Sequence, residues 1–305
     1  MGRSLQVQTM KSFSIVGAGR LGTVLGAALV RRGWTAAAII DEDPKAARES
    51  RRIIGRGKVL PYRPGLSPEG RDGTVGLGDV VIIAVPDDAV GRVVAELARS
   101  GVTWAGRSVF HTSGLLPARV LEPLRKRGAR IASVHPVQSF PRKDTPPSIF
   151  RGITWGVEGD PAAVAAAEEM VRSLRGNILL LSEKDKPLYH AACSLASNAM
   201  IALGWTASGM LGAAGIEEQA AAGMLFPLVQ GTLRNVKNLG PERALTGPIL
   251  RGDVATVRKH LKALRDDPPA RGVYMVMGKQ ILRLAEKGGL PAGRVSALKR
   301  LLEGG

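Results

Sequence analysis

Four polar residues, Lys186, His190, Ser194 and Asn198, recur at every fourth position. On a helix such positions form one stripe that drifts about 40° per step. The stripe lies at the edge of a stretch without charge, since no Asp, Glu, Lys or Arg occurs between Pro187 and Ile216. It either lines a substrate pocket or forms a hydrogen-bonded seam between packed helices. In a pocket its chemistry is that of carbonyl reduction: hydride delivery leaves negative charge on oxygen, which a nearby donor must stabilise or protonate. Lys186 or His190 fills that role, histidine being able to work in either direction near neutral pH. Asn198 would hold a hydroxyl or carboxylate without changing its own protonation, with Ser194 as a further substrate ligand. Arg251, in the segment Thr246 to Asp253, suits bidentate binding of a carboxylate. The same segment also reads as a turn with Asp253 capping the next helix. Asn235 and Asn238 are further candidates. His111 and His135 end predicted strands, as site groups or as structural hydrogen-bonding groups. No HExxH or comparable spacing points to a metal.

These residues need a scaffold, and the first part of the chain supplies one. Residues 12–16 form a β-type run, followed at once by Gly17-Ala18-Gly19-Arg20-Leu21-Gly22 and an apolar helical stretch that Gly33 ends. A second strand, 35–40, leads into Asp41. Strand, glycine turn, helix, strand and acid occur in the order a dinucleotide site requires. Gly17 permits the turn, Gly19 admits the pyrophosphate, and Gly22 lets helix pack on strand. The helix start at Arg20 and Leu21 offers N–H groups and a positive dipole end. Asp41, reinforced by Glu42 and Asp43, suits a ribose diol and repels a 2′-phosphate, which favours NAD(H) over NADP(H). Arg20 is the one group in the loop that would meet an added phosphate. Val85-Pro86-Asp87 and Thr112-Ser113-Gly114 end two later strands, where ligands of open α/β sheets bind.

Strands and helices alternate to about Leu181, which predicts a mostly parallel sheet with helices on both faces. In this reading 44–58 is a basic helix followed by a break, 59–78 is loop, and a helix runs from about Pro117 to Arg127. Beyond Ser182 only helix and loop are expected. The predicted organisation is an α/β Rossmann domain over 10–182 and an all-α substrate and dimerisation domain over 183–305.

Composition narrows the function. The chain has 305 residues, 45% of them hydrophobic, and a net charge of +17. The basic residues are dispersed, only 12 aromatics are available for stacking, and no nucleic-acid-binding motif occurs, so nucleic acid is not an expected partner. The charge-free stretch is rich in Ala and small residues and contains His190, Ser194, Ser197 and Asn198. It reads as a helix buried at a domain or subunit contact, not as a membrane span, and a homodimer is expected through it. The lone Cys193 and a start, MGRSLQVQTMK, without an apolar core fit a cytoplasmic protein.

With IVGAGRLG at 15–22, DVVIIAVPDDAV at 79–90 and a helical second half, the chain resembles the 6-phosphogluconate dehydrogenase-like superfamily, which includes ketopantoate reductase, pyrroline-5-carboxylate reductase and prephenate dehydrogenase. More narrowly, HTSG at 111–114, SVHPVQSF at 133–140, YHAACSLASN at 189–198 and LTGPILRGD at 245–253 resemble proteins that fuse a Rossmann-like domain to a DUF2520 domain. The resemblance implies a dinucleotide-dependent oxidoreductase whose helical domain often dimerises. It implies a catalytic role for His135, which matches the histidine of the prephenate dehydrogenase HP element, and for Ser113, which matches a serine those enzymes place near the nicotinamide. Ketopantoate reductases carry a lysine and asparagines on a similar stripe, where His190 and Ser194 depart from the pattern.

The expected activity is NAD(P)-dependent hydride transfer to or from a small oxo or hydroxy acid, with reduction of a ketopantoate-like 2-oxo acid preferred. The alternatives are a prephenate-like hydroxy-acid dehydrogenase and a dinucleotide sensor without turnover.

Overall fold

A computed structural model describes residues 11–61 and 76–304. The chain divides into two compact units, one through Ser194 and one from Leu195.

The first unit is built on an eight-stranded sheet of order β3-β2-β1-β4-β5-β6-β7-β8. Its strands are β1 Ser12–Val16, β2 Thr35–Asp41, β3 Lys58–Pro61, β4 Val80–Ile83, β5 Ser108–His111, β6 Arg130–Pro136, β7 Thr154–Gly159 and β8 Asn177–Leu180. All neighbours pair parallel except β6 and β7, which are antiparallel with His135 opposite Gly156. The expected mostly parallel α/β sheet is therefore present. The strands carry apolar residues on both faces, as a sheet covered on both sides requires. Phe13, Ile15, Ile39 and Ile82 face one core with helix α1, Arg20–Arg31, helix α2, Pro44–Ile54, and helix α5, Pro161–Ser173. Val16, Ile40, Val81 and Ile83 face the other, against helix α3, Asp87–Arg99. Successive residues point to opposite sides of a pleated strand, so one run of β4 serves both cores.

Two local expectations need correction. The segment expected to be loop from residue 59 begins as an edge strand, β3, bonded to β2 in parallel register; Val59 and Leu60 give it the apolar character that adjacent Gly and Pro mask. The rest of that segment, through 75, lies outside the described residues. The helix expected from Pro117 to Arg127 is a 3-10 turn, Ala118–Leu121, continued by a four-residue helix α4, Glu122–Arg125. Pro123 lacks an N–H donor, which keeps the regular α-ladder short.

The second unit is helical. Helix α6, Lys186–Ala213, runs across the division at Ser194. It is followed by α7 Glu218–Leu239, α8 Pro241–Ala244, α9 Val254–Ala263, α10 Pro268–Lys287 and α11 Ala292–Glu303. Its core joins α9, α10 and α11 through Val257, Leu261, Leu282, Leu298 and Leu302. Among the described residues no helix is long and apolar enough to cross a membrane.

Candidate functional site

Two of the three glycines in the turn are required by the packing around them. Gly17 has φ +103°, and a Cβ there would lie 2.5 Å from the Ala84 carbonyl oxygen. A Cβ on Gly22 would lie 2.2 Å from the Gly17 carbonyl oxygen, so α1 can approach β1 only without one. Gly19 differs, since a Cβ there would meet nothing within 4 Å. Gly19 is also the N-cap of α1 and gives no side-chain cap. The first N–H groups of α1 have no intrahelical partner, and Gly19 and Arg20 at this end of the helix are exposed, with Leu21 half-buried. This fits a bound pyrophosphate. The Arg20 side chain reaches the Pro141 carbonyl at 3.4 Å.

Asp41 ends β2 beside this turn. One carboxylate oxygen accepts from the Ala18 N–H at 2.6 Å and the other from the Asp43 N–H at 2.8 Å. The acid expected to read a ribose thus also ties the glycine turn to the tip of β2. Asp41 and Glu42 line a cavity with Gly17, Val85, Pro86 and Arg92. Arg92 comes from α3 and pairs with Glu42 at 2.5 Å.

A second group of polar residues gathers at the carboxyl ends of β5 and β6. Ser113 Oγ donates to Asp87 at 2.9 Å and accepts from the Leu115 and Leu116 N–H groups. This joins the tips of β4 and β5, and the Thr112 N–H adds a bond to the Ile83 carbonyl. The Ser113 hydroxyl is therefore fully engaged in shaping its turn. His111 is wholly buried; its Nδ1 accepts from the Ser113 N–H, which leaves Nε2–H to donate to the Pro117 carbonyl. Both ring nitrogens are engaged, and burial lowers its pKa to about 4.

Lys186 opens α6 and is wholly buried. Its Nζ donates to Ser133 Oγ at 2.6 Å and approaches the Ser113 carbonyl at 3.4 Å. Burial lowers its pKa, while the carboxylates of Glu158 and Asp87 favour its charged form. Glu158 accepts from the Ala118 N–H, and burial raises its pKa. The lysine supports the β5 and β6 tips from within the protein.

His135, Tyr189 and His190 are half-buried. His135 Nδ1 lies 2.8 Å from the Tyr189 hydroxyl. The His190 ring meets the His135 ring edge-on, with centroids 6.0 Å apart. Gly114 lies against both: a Cβ there would be 2.6 Å from His190 Cδ2 and 3.0 Å from His135 Nε2. Burial lowers the His135 pKa to about 4, with the charges of His190 and Lys186 acting in the same direction. Near neutral pH this gives a neutral imidazole beside a side-chain-free strand tip, an arrangement suited to hydrogen bonding a substrate heteroatom.

The structure thus gathers His135, His190, Ser113 and Lys186 around the β5 and β6 tips, with Asp87 tied to Ser113. Ser194 is half-buried on α6, whereas Asn198 is exposed in the second unit. Arg251 is exposed in a turn of that unit, and Asp253 caps α9 by accepting from the Thr256 N–H at 3.0 Å. Sequence reasoning missed Tyr189, Ser133, Glu158 and Arg92. Ser133 was findable, since it lies two residues before His135 and shares its strand face. Tyr189 adjoins His190, but the fourfold spacing drew attention past it. Among the described residues no group of His, Cys, Asp or Glu could hold a metal ion.

A family model for a Rossmann-like domain matches residues 3–136, and one for a domain of unknown function, DUF2520, matches residues 153–281. No curated protein matches the chain. Among solved structures, a Bacteroides fragilis protein provisionally assigned as an NADP oxidoreductase is 21% identical, with TM-score 0.73, over 90% of this chain and 98% of that one. A Thermotoga maritima protein is 24% identical, with TM-score 0.68, over 90% and 99%. A reductive aminase from Aspergillus terreus, solved with NADPH and ethyl levulinate, is 16% identical, with TM-score 0.61, over 96% and 99%. These likenesses establish a shared fold.

Proposed function

We propose that this chain, a member of the proteins that join a Rossmann-like domain to a DUF2520 domain, is a nicotinamide-dinucleotide-dependent oxidoreductase that reduces a small oxo acid. The observation that carries this reading is the uncapped start of α1 above Gly19, on the same edge of the sheet as the imidazole of His135. A dinucleotide held there would supply the hydride. The α1 N–H groups would bind its pyrophosphate, and Val85, Pro86 and Thr112 would border it at the strand ends. His135 and His190 would hold the substrate oxygen, while Ser113, Asp87 and Lys186 keep the β5 and β6 tips in place. Ser194, Asn198 and Arg251 remain proposed substrate ligands, a set suited to a hydroxyl and a carboxylate.

Reduction of a C=N bond is a second reading, favoured by the likeness to the reductive aminase. A hydroxy-acid dehydrogenase would run the same hydride transfer in reverse through the same groups, and turnover assayed in both directions separates the two.

The engagement of both Asp41 oxygens with backbone, and the position of Arg92 in the same cavity, favour NADPH over the NADH suggested by Asp41 alone. We further propose a homodimer formed through α6 and α7, which leave Leu195, Trp205 and Phe226 exposed, in a reducing, cytoplasmic setting that suits the lone Cys193.

The test is titration with NADH and NADPH, followed by tightness of binding and by turnover of a panel of 2-oxo acids and cyclic imines. Binding with oxo-acid turnover is expected. Binding with turnover of imines alone favours the second reading, and binding with no turnover of either class indicates a sensor.

A further inference from the structure

We propose that Tyr189 is a positioning residue that fixes His135 as the tautomer bearing its proton on Nε2, so that His135 presents a hydrogen-bond donor at the β5 tip. The catalytic meaning of this rests on the oxidoreductase reading above, but the tautomer itself does not.

The phenol of Tyr189 is closely confined. Its hydroxyl lies 2.8 Å from His135 Nδ1, and the two rings meet edge-on with centroids 5.6 Å apart and planes at 89°. Gly156, opposite His135 in the β6 and β7 register, makes the space. A Cβ on Gly156 would lie 2.5 Å from the hydroxyl oxygen and 2.8 Å from Cζ. Burial raises the phenol pKa, so it keeps its proton throughout the working range.

The direction of the bond to His135 follows from what surrounds the phenol. The phenol keeps its proton, and the atom 2.8 Å from its oxygen is an imidazole nitrogen. A phenolic O–H is a stronger donor than a neutral imidazole N–H, and a bare imidazole nitrogen is a good acceptor, so the hydroxyl proton points to Nδ1. A neutral imidazole that accepts at Nδ1 must carry its hydrogen on Nε2.

Nε2 is the nitrogen that lies against Gly114, 3.0 Å from where a Cβ would stand. Glycine at that position keeps the approach to Nε2 clear of a side chain. The groups facing the imidazole, His190 and Lys186, disfavour added positive charge on it. Tyr189 therefore directs His135 to donate a hydrogen bond to a substrate oxygen or nitrogen. With Nδ1 occupied and Nε2 protonated, the ring has no nitrogen free to act as a base; it stabilises negative charge on the substrate atom, and the proton that completes a reduction has to come from another group or from water.

The experiment is nitrogen NMR of the full-length protein labelled with 15N-histidine, with His135 assigned from a His135→Asn variant. Wild type is expected to show a protonated Nε2 and a bare Nδ1 for His135. Tyr189→Phe keeps the ring against Gly156 but removes the proton, and both nitrogens should then move toward tautomer-averaged shifts. Gly156→Ala, which displaces the phenol, should do the same. A wild-type His135 protonated on Nδ1 overturns the proposal, whether or not either variant folds; so does a tautomer unchanged in a folded Tyr189→Phe protein. Turnover measured on the same samples bears separately on the oxidoreductase reading. There Tyr189→Phe should lower kcat about tenfold with KM within about twofold, a loss near 1.4 kcal/mol in transition-state stabilisation. A protein with the expected tautomer and no turnover would remove that reading and leave the assignment of Tyr189 intact.

Discussion

The two units of this chain use similar proportions of apolar sequence in different ways. In the first, the central strands β4 and β5 bury both faces, and Phe13, Phe110 and Trp155 have no exposed surface. In the second, burial is concentrated in α9 to α11, while Leu195 is 71% exposed and Trp205 80%. Exposed apolar area on that scale is characteristic of an interaction surface. The first unit brings its polar groups together at its own strand tips, although Leu180 and Leu188 are exposed there. The second contains long helices whose composition is that of an interior but whose surface is uncovered in a single chain. A buried lysine is affordable in the first unit because serines and carboxylates surround it.

The largest expected effect separates the two kinds of apolar residue. Phe110→Ala should cost about 3–5 kcal/mol in urea denaturation, as removal of a fully buried ring does. Phe226→Ala should cost less than about 1 kcal/mol at concentrations where the chain is monomeric. In sedimentation, however, Phe226→Ser should weaken self-association. Equal denaturation costs in the monomer would break the distinction between the units.

The next effect concerns Lys186. Removing one partner from a buried charged cluster costs about 3 kcal/mol or more, so Lys186→Ala should be strongly destabilising. The exposed Lys262, in the second unit, should tolerate the same change within about 0.5 kcal/mol. A mild Lys186→Ala phenotype would mean that Glu158 and Asp87 do not depend on the lysine.

The pH dependence should also come from the first unit. Burial holds the folded pKa values of His111 and His135 near 4, below the ordinary histidine value. Between pH 4 and 6.5 the unfolded chain therefore binds more protons. The stability tied to these neutral imidazoles is complete above pH 6.5 and is lost as pH falls toward 4, by about 2 kcal/mol per histidine between pH 7 and 5. His111→Asn and His135→Asn proteins, compared with wild type by denaturation at both pH values, should each lose that part of the slope. A slope unchanged in both would place the titration elsewhere.

The smallest effect should arise at the cofactor wall, where Arg92 is largely exposed. Arg92→Ala should leave stability within about 0.5 kcal/mol and lower the NADPH to NADH affinity ratio about tenfold, a change of 1.4 kcal/mol. Asp41→Ser should loosen the glycine turn as well as alter selectivity, because Asp41 bonds the Ala18 N–H. A selectivity change without weaker nucleotide binding would make Asp41 a reader of the ribose alone.

Much of this was legible because local pattern and tertiary role coincide. The strand, glycine turn and helix at 12–31 were readable since the glycine spacing sits directly between a β-type run and an apolar helical stretch. The mostly parallel sheet followed from the alternation of strand and helix over most of the first unit. Strand β3 was hidden because its pairing partner β2, and not its own composition, makes it a strand. The site was half legible. His135 and His190 stood out by type and by resemblance, but their convergence depends on Gly114, whose demand arises from two side chains distant in sequence. The stripe on α6 was correctly a helix, yet spacing could not show that Lys186 is buried under the β5 and β6 tips while Asn198 is exposed. Tyr189 gained its significance only from Gly156 on another strand.

The most direct measurement exploits Gly19. Because a Cβ there meets nothing within 4 Å, Gly19→Val should melt within a few degrees of wild type while obstructing the approach of a pyrophosphate to α1. Calorimetric titration of both proteins with NADPH and NADH should show binding of at least one nucleotide to wild type and at least tenfold weaker binding to the variant. A wild-type chain that binds neither nucleotide, or a folded Gly19→Val protein that binds as tightly as wild type, would contradict the assignment of this turn as the dinucleotide site.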